Sequence, residues 1–205
     1  MFRFITQKIK TLRSKDDGNV TVEFVIYAPL LFFIFMMVYT FYDAFRQESI
    51  NLKAAYTVSD LLSRETREVN DDYIDSMFGI ANLMVRQNSN LSMRITLVRY
   101  DEASDQFYID WSRQRGNAYL ERTDGNTGEF TDINEVRERL PNMPDQERVI
   151  LVETIADIVP PFNIGVGQVD ITNFVFSRPR FAPIVRFEGI EIPGVPHDDA
   201  TVFDS

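Results

Sequence analysis

The chain has 205 residues, 44% of them hydrophobic, with 17 Phe, 8 Tyr and no Cys. That is enough apolar material for one or two small domains, but none for a disulfide framework or a cysteine metal site. The one histidine, His197, cannot supply a multi-histidine site, and a net charge of −10 argues against nucleic acid as a partner.

The charge is uneven along the chain. The first 18 residues hold five basic side chains (Arg3, Lys8, Lys10, Arg13, Lys15) and two acidic ones (Asp16, Asp17), which leaves −13 for residues 19–205. From Phe24 to Tyr42 follow 19 uncharged residues, bounded by Glu23 and Asp43. At ~1.5 Å per residue a helix of that length crosses a ~30 Å hydrocarbon core. Tyr27, Tyr39 and Tyr42 near its ends suit the interfacial aromatic belt. The basic leader predicts a cytoplasmic N-terminus, with everything beyond Asp43 outside the inner membrane. The apolar run exceeds the ~7–15 residues of a secretory signal and no small-x-small site follows it. Pro29 removes a helical hydrogen bond inside the span and predicts a bend or a loosened turn.

The stretch "DDGNVTVEFVIYAPLL" (16–31) places Gly18 five residues before Glu23. Cleavage after Gly18 frees the α-amine of Asn19 and makes Glu23 the fifth residue. Its carboxylate is then expected on the first helical turn, where the helix dipole favours negative charge. An unpaired carboxylate in lipid is costly, so it calls for a cation such as an α-amine of its own or a neighbouring subunit.

A basic leader, Gly18, Glu23 followed by Phe24, and an apolar span with an early Pro29 resemble the type IV prepilin pattern. The version here is most similar to the TadE/TadF minor pseudopilins of the tight-adherence (Tad, Flp) pilus system. The similarity covers residues 16–42, and the chain is much longer than the small major pilins. The resemblance implies cleavage at Gly18–Asn19 by a membrane-embedded prepilin peptidase and an assembly role for Glu23, with Phe24 and Pro29 in the assembling helix. It also implies other Tad pilins and pseudopilins, the inner-membrane assembly platform and membrane lipid as partners. A bitopic membrane protein with an extracytoplasmic binding domain, outside any pilus, is the alternative. A membrane-anchored enzyme is disfavoured by the absence of a catalytic motif.

Beyond Asp43 the helix is expected to continue, with an apolar stripe at Phe45, Ile50, Leu52, Ala55, Val58, Leu61 and Leu62. Asn70 is placed to cap a second helix over 71–87, whose first turn is acidic. Strands are then predicted over 93–100 and 106–112, joined by a hairpin at "DEASD", and over 148–159 and 169–177. Along 106–112, strict alternation puts Phe107, Ile109 and Trp111 on one face. Residues 183–192 read as one further strand. Asp132 with Glu135 suggests a capped short helix closed by Pro141. Pro160, Pro161, Gly165 and Gly167 mark a turn. The Trp and Phe positions read as core.

The loop from Asp124 invites comparison with a calcium loop. Asp124, Asn126, Asp132 and Glu135 stand at positions one, three, nine and twelve, but Gly128 fills position five and Glu129 stands where an EF-hand needs glycine. A solvated loop before a capped helix is the simpler reading. No phosphate loop, nucleophile elbow, metal motif or cofactor motif is present.

The expected fold class is α+β, with a transmembrane helix running into an amphipathic helix packed on an antiparallel sheet of four or five strands, as in type IV pilins. The expected divisions are a leader (1–18), a transmembrane helix (19–43), an extracytoplasmic domain (44–193) and a flexible acidic tail (194–205).

Overall fold

The computed structural model of the chain describes residues 19–122, 132–158, 160–162 and 167–194. The leader and most of the tail expected from sequence lie outside the described residues. The described chain forms helix α1 (Asn19–Ser63), helix α2 (Asp71–Met84), strands β1 (Ser92–Asp101) and β2 (Gln106–Arg115), a 3-10 helix (Ile133–Arg139), and strands β3 (Arg148–Ile158) and β4 (Val169–Ser177). It divides into two compact units. One contains α1 up to Phe45 with the connection 160–167, and the other contains the rest from Arg46 onward.

The second unit is an antiparallel sheet of four strands in the order β2-β1-β3-β4. Central β1 and β3 carry near-continuous apolar or β-branched runs because both of their faces are covered. On one face Met93, Ile95, Leu97, Ile150, Val152 and Val175 share a core with Ala54, Ala55, Val58 and Leu62 of α1 and with Ile74, Met77 and Ala81 of α2. The 3.6-residue period explains why α1 presents 54/55, 58 and 62 together. The buried stripe is narrower than expected, since Phe45, Leu52 and Leu61 are exposed. On the opposite face Val98, Phe107, Val149 and Leu151 pack with Ile133, Leu140 and Met143 from the 3-10 segment.

Side-chain hydroxyls and backbone groups tie α1 to the sheet's edge. Ser59 Oγ donates to Ser177 Oγ at 2.7 Å, and the backbone N–H of Arg180 donates to the Ser63 carbonyl at 2.7 Å. The latter satisfies one of the carbonyls orphaned at a helix C-terminus. Helix α2 begins as expected, with Asn70 Oδ1 accepting from the Tyr73 N–H at 3.0 Å. It stops at Met84, short of Gln87, because Val85 turns extended and buries its side chain.

Two expectations are corrected. Residues 183–192 form no strand. They cross the helical side of the sheet as a strap that makes one parallel bridge, Val69 to Phe187. The bridge uses Val69 N–H to Arg186 O at 2.9 Å and Glu188 N–H to Val69 O at 2.8 Å. Pro183, Pro193 and the left-handed Gly189 (φ 75°) bar a longer ladder. The sheet therefore has four strands. The alternation along β2 is also broken. Leu97 pairs with Trp111 but Val98 pairs with Ile109, so Asp110 is an extra residue and the strand bulges there. Phe107 and Ile109 consequently face the 3-10 side, while Trp111 faces the helices. There its Nε1–H donates to Val185 O at 2.8 Å and its ring lies 5.4 Å from that of Phe187.

The bulge carboxylate is not wasted: Asp110 accepts from Arg148 Nε at 2.6 Å and pairs with Arg99 at 3.4 Å. A second, deeper triad lies on the opposite face. Glu153 stands directly across from Arg94 in the β1–β3 register and accepts from Arg94 Nε at 2.6 Å. It also accepts from Arg122 Nε and Nη2 at 2.9 and 2.6 Å. All three side chains are at most 6% exposed. Burial alone would push Glu153 up, but hydrogen bonds from Arg122 and then Arg94 hold its carboxyl below the usual glutamate range. Arg94 also stacks on Tyr119 at 4.6 Å and donates to Leu120 O at 2.8 Å, while Arg122 reaches Asp132 O at 3.3 Å. Burial, and next the Glu153 charge, pushes the Tyr119 phenol up to about 12.

Removing Glu153 strands two buried guanidinium groups. Glu153→Ala should lower stability by ~3–5 kcal/mol, read from the denaturant midpoint of the chain in mild detergent at neutral pH. A depressed folded pKa stabilises above the unfolded value, near ~4.3. The difference between wild type and Glu153→Ala should therefore be full at pH 7 and shrink as pH falls through the lower folded value.

Candidate functional site

The chemistry that sequence singles out is concentrated at the start of α1. Gly18, half of the expected cleavage site, lies outside the described residues. Asn19 opens the helix and Glu23 follows one turn later. The helix thus already has a full turn before Glu23, so the carboxylate begins the second turn and not the first, as sequence suggested. Its benefit from the helix dipole is correspondingly smaller, since that field fades within the first turn. Pro29 sits inside a helix that continues unbroken through it. Glu23 and Phe24 are both exposed.

What surrounds Glu23 is apolar on every side. Fifteen large apolar side chains between Phe24 and Tyr42 are exposed, among them Phe24 at 70%, Phe32 at 67% and Phe35 at 67%. Burying one such side chain is worth ~1.5–3 kcal/mol. Leaving them all in water therefore costs on the order of tens of kcal/mol, more than a domain's whole net stability. This is the one helix among the described residues long and apolar enough to cross a membrane. It differs from a soluble protein's core helix in that almost none of the apolar run is buried.

The end of this run carries a small aromatic cluster. Tyr39 packs on Phe162, from the connection between β3 and β4, with ring centroids 5.8 Å apart. Thr40 is buried, and its hydroxyl donates to the Met36 carbonyl at 2.8 Å, so it brings no unpaired polar group with it. The sequence placed Tyr39 and Tyr42 at an interface, but the turn near Pro160–Pro161 gave no sign that its Phe162 joins them. That pairing spans more than 120 residues and has no local signature.

The calcium comparison is not carried forward. Asp124, Asn126, Gly128 and Glu129 lie outside the described residues. Asp132 is engaged as a cap, with Oδ1 accepting from the Asn134 N–H at 2.9 Å. The helix it caps is a 3-10 helix, and the cap partner is Asn134, not Glu135. No group of three or more carboxylate, His or Cys ligands occurs among the described residues. The perturbed titrating groups belong to structural pairs. Tyr73, for example, is pushed up to about 12 by burial and then by Glu65.

Comparison of the chain with protein-family models, with curated proteins and with solved structures finds no match.

A charge placed at mid-span should abolish the membrane preference of α1. Arginine at a span's centre costs ~2.5–3.5 kcal/mol on insertion scales. Phe33→Arg should shift the chain from the carbonate-resistant membrane pellet to the soluble or degraded fraction, followed by immunoblot.

Proposed function

We propose that the chain is a minor pseudopilin that takes part in assembling a Tad/Flp-type pilus and that its role is structural, not catalytic. The observation that carries this reading is Glu23. It is a lone exposed carboxylate on a helix otherwise uncharged to Tyr42, one turn after Asn19 and five residues after Gly18. An ordinary anchor gains nothing from a charge at that position. A helix that leaves the bilayer to pack among its neighbours gains a register mark, because the carboxylate must meet a cation once it is drawn to apolar depth.

In this reading a prepilin peptidase cuts between Gly18 and Asn19 on the cytoplasmic side of the inner membrane. The span holds the mature chain, and the acidic α+β domain lies on the periplasmic side. Assembly packs α1 against the helices of other Tad pilins and pseudopilins at the assembly platform. The only new cation is the α-amine of Asn19, so Glu23 pairs with it, within or between subunits. Phe24 lies beside that pair and Pro29 lets the helix adjust as it changes surroundings. The α+β arrangement, with an apolar helix running into one that covers a sheet, is compatible with this role.

The test joins N-terminal sequencing of the membrane-extracted protein with a Glu23→Ala variant. The mature chain should begin at Asn19. Glu23→Ala should be inserted and cut normally, yet lose pili and the recovery of partner pilins. The loss of one member of a buried charge pair, ~3–5 kcal/mol, is several hundredfold or more in association. An intact N-terminus, or normal piliation by a correctly cut Glu23→Ala chain, overturns the proposal in favour of a plain single-span anchored protein.

A further inference from the structure

The two edges of the sheet are treated differently. On β2 the side chain of Asn134 occupies both backbone groups of Phe107, accepting from its N–H at 3.0 Å and donating to its carbonyl at 3.1 Å. The Asp110 bulge bends the strand, and Arg113 and Arg115 charge its end. These are standard ways of blunting an edge. β4 has none of them. It is nine residues long, regular in register along its whole length, free of Pro and Lys, and carries a single charge, Asp170. Val169, Thr172 and Phe176 are exposed, and among the described residues no strand pairs with its outer side.

We infer that β4 is a docking edge for a second copy of this chain, joined antiparallel about a two-fold axis at Phe174. Charge sets the occupant and the direction. Asp170 begins the strand and the exposed Arg178 follows its end. Antiparallel self-pairing centred on Phe174 brings Asp170 of each copy opposite Arg178 of the other, twice. It also sets Phe174 against its own counterpart and Thr172 against Phe176, an aromatic and β-branched pairing that favours a ladder. Parallel pairing would instead align the two Asp170 carboxylates. Arg178 holds Glu147 at 3.0 Å in an exposed pair, which contributes little and is readily exchanged. Because β2 is blunted, pairing stops at two copies and does not propagate into a fibre. Confinement of copies to one membrane, as proposed above, raises their effective concentration and allows a strand-sized contact to suffice.

The absence of cysteine makes the test direct. The full chain carrying Thr172→Cys and Phe176→Cys is oxidised in membranes beside each single variant. Within one chain these positions lie about 13 Å apart at ~3.3 Å per residue, too far for a disulfide, which needs Cα atoms within ~7 Å. The proposed register sets them face to face between copies. The double variant should give a covalent dimer and the single variants none. Asp170→Arg added to the double variant should abolish most of the dimer, and Arg178→Asp added to that should restore it. No dimer from the double variant, equal dimer from a single variant, or indifference to the charge exchange overturns the inference. Cleavage at Gly18, read on the same membranes, reports separately on the pseudopilin reading.

Discussion

Burial of both faces of β1 and β3 is the constraint from which most of the domain follows. A strand in that position cannot show a polar side chain to water, so each one needs a partner inside. Arg94 and Glu153 meet that requirement by facing each other across the two central strands. One carboxylate against one guanidinium closes the pair, and the addition of Arg122 does more. It fixes the segment after β2 over the sheet and, through Asp132 O, the start of the 3-10 helix. The layer opposite the helices is thus organised by charge at one end and by Val98, Leu151 and Ile133 at the other. Thr96 and Ser112, paired at 3.0 Å in the same layer, extend the rule to uncharged groups.

The chain answers to two solvents. From Arg46 onward its apolar side chains are mostly turned inward, and its surface carries an excess of acid. From Val20 to Tyr42 they are turned outward. A single helix belongs to both regimes, so one continuous backbone ladder links a segment that lipid or other helices must cover to one that a sheet covers. Glu23 matters because it is the lone ionised group at the outward-turned end. The same physics that makes its neighbours prefer hydrocarbon makes its charge seek a partner.

Most of the architecture is legible in local pattern. The apolar run from Phe24, the Asn70 cap and the alternation of Arg94-Ile95-Thr96-Leu97 each signal their element within a few residues. β4 is read to its last residue. What escapes is long-range. The apolar content of 183–192 suggests a strand, yet its prolines and Gly189 limit it to one bridge, and Trp111 uses it as a hydrogen-bond acceptor and a lid. The triads escape too, since Arg122 and Asp110 show their roles only when Glu153 and Arg148 arrive from another strand. At the candidate site, Gly18, Asn19, Glu23 and Pro29 are conspicuous in sequence because their meaning lies in spacing along one helix. Phe162 is silent there because its partner, Tyr39, is distant in the chain.

The Asp110 bulge gives β2 two independent halves. Residues before it obey one inside-outside phase and answer to the 3-10 layer, while residues after it obey the opposite phase and answer to the helices. The hairpin tip and the hairpin base can therefore vary separately, each under its own packing rule, so long as Asp110 keeps Arg99 and Arg148. Loss of that one residue would merge the phases and force either Phe107 and Ile109 or Trp111 to the wrong side. A length change of one at position 110 is therefore a graver event for this chain than replacement of most of the side chains around it.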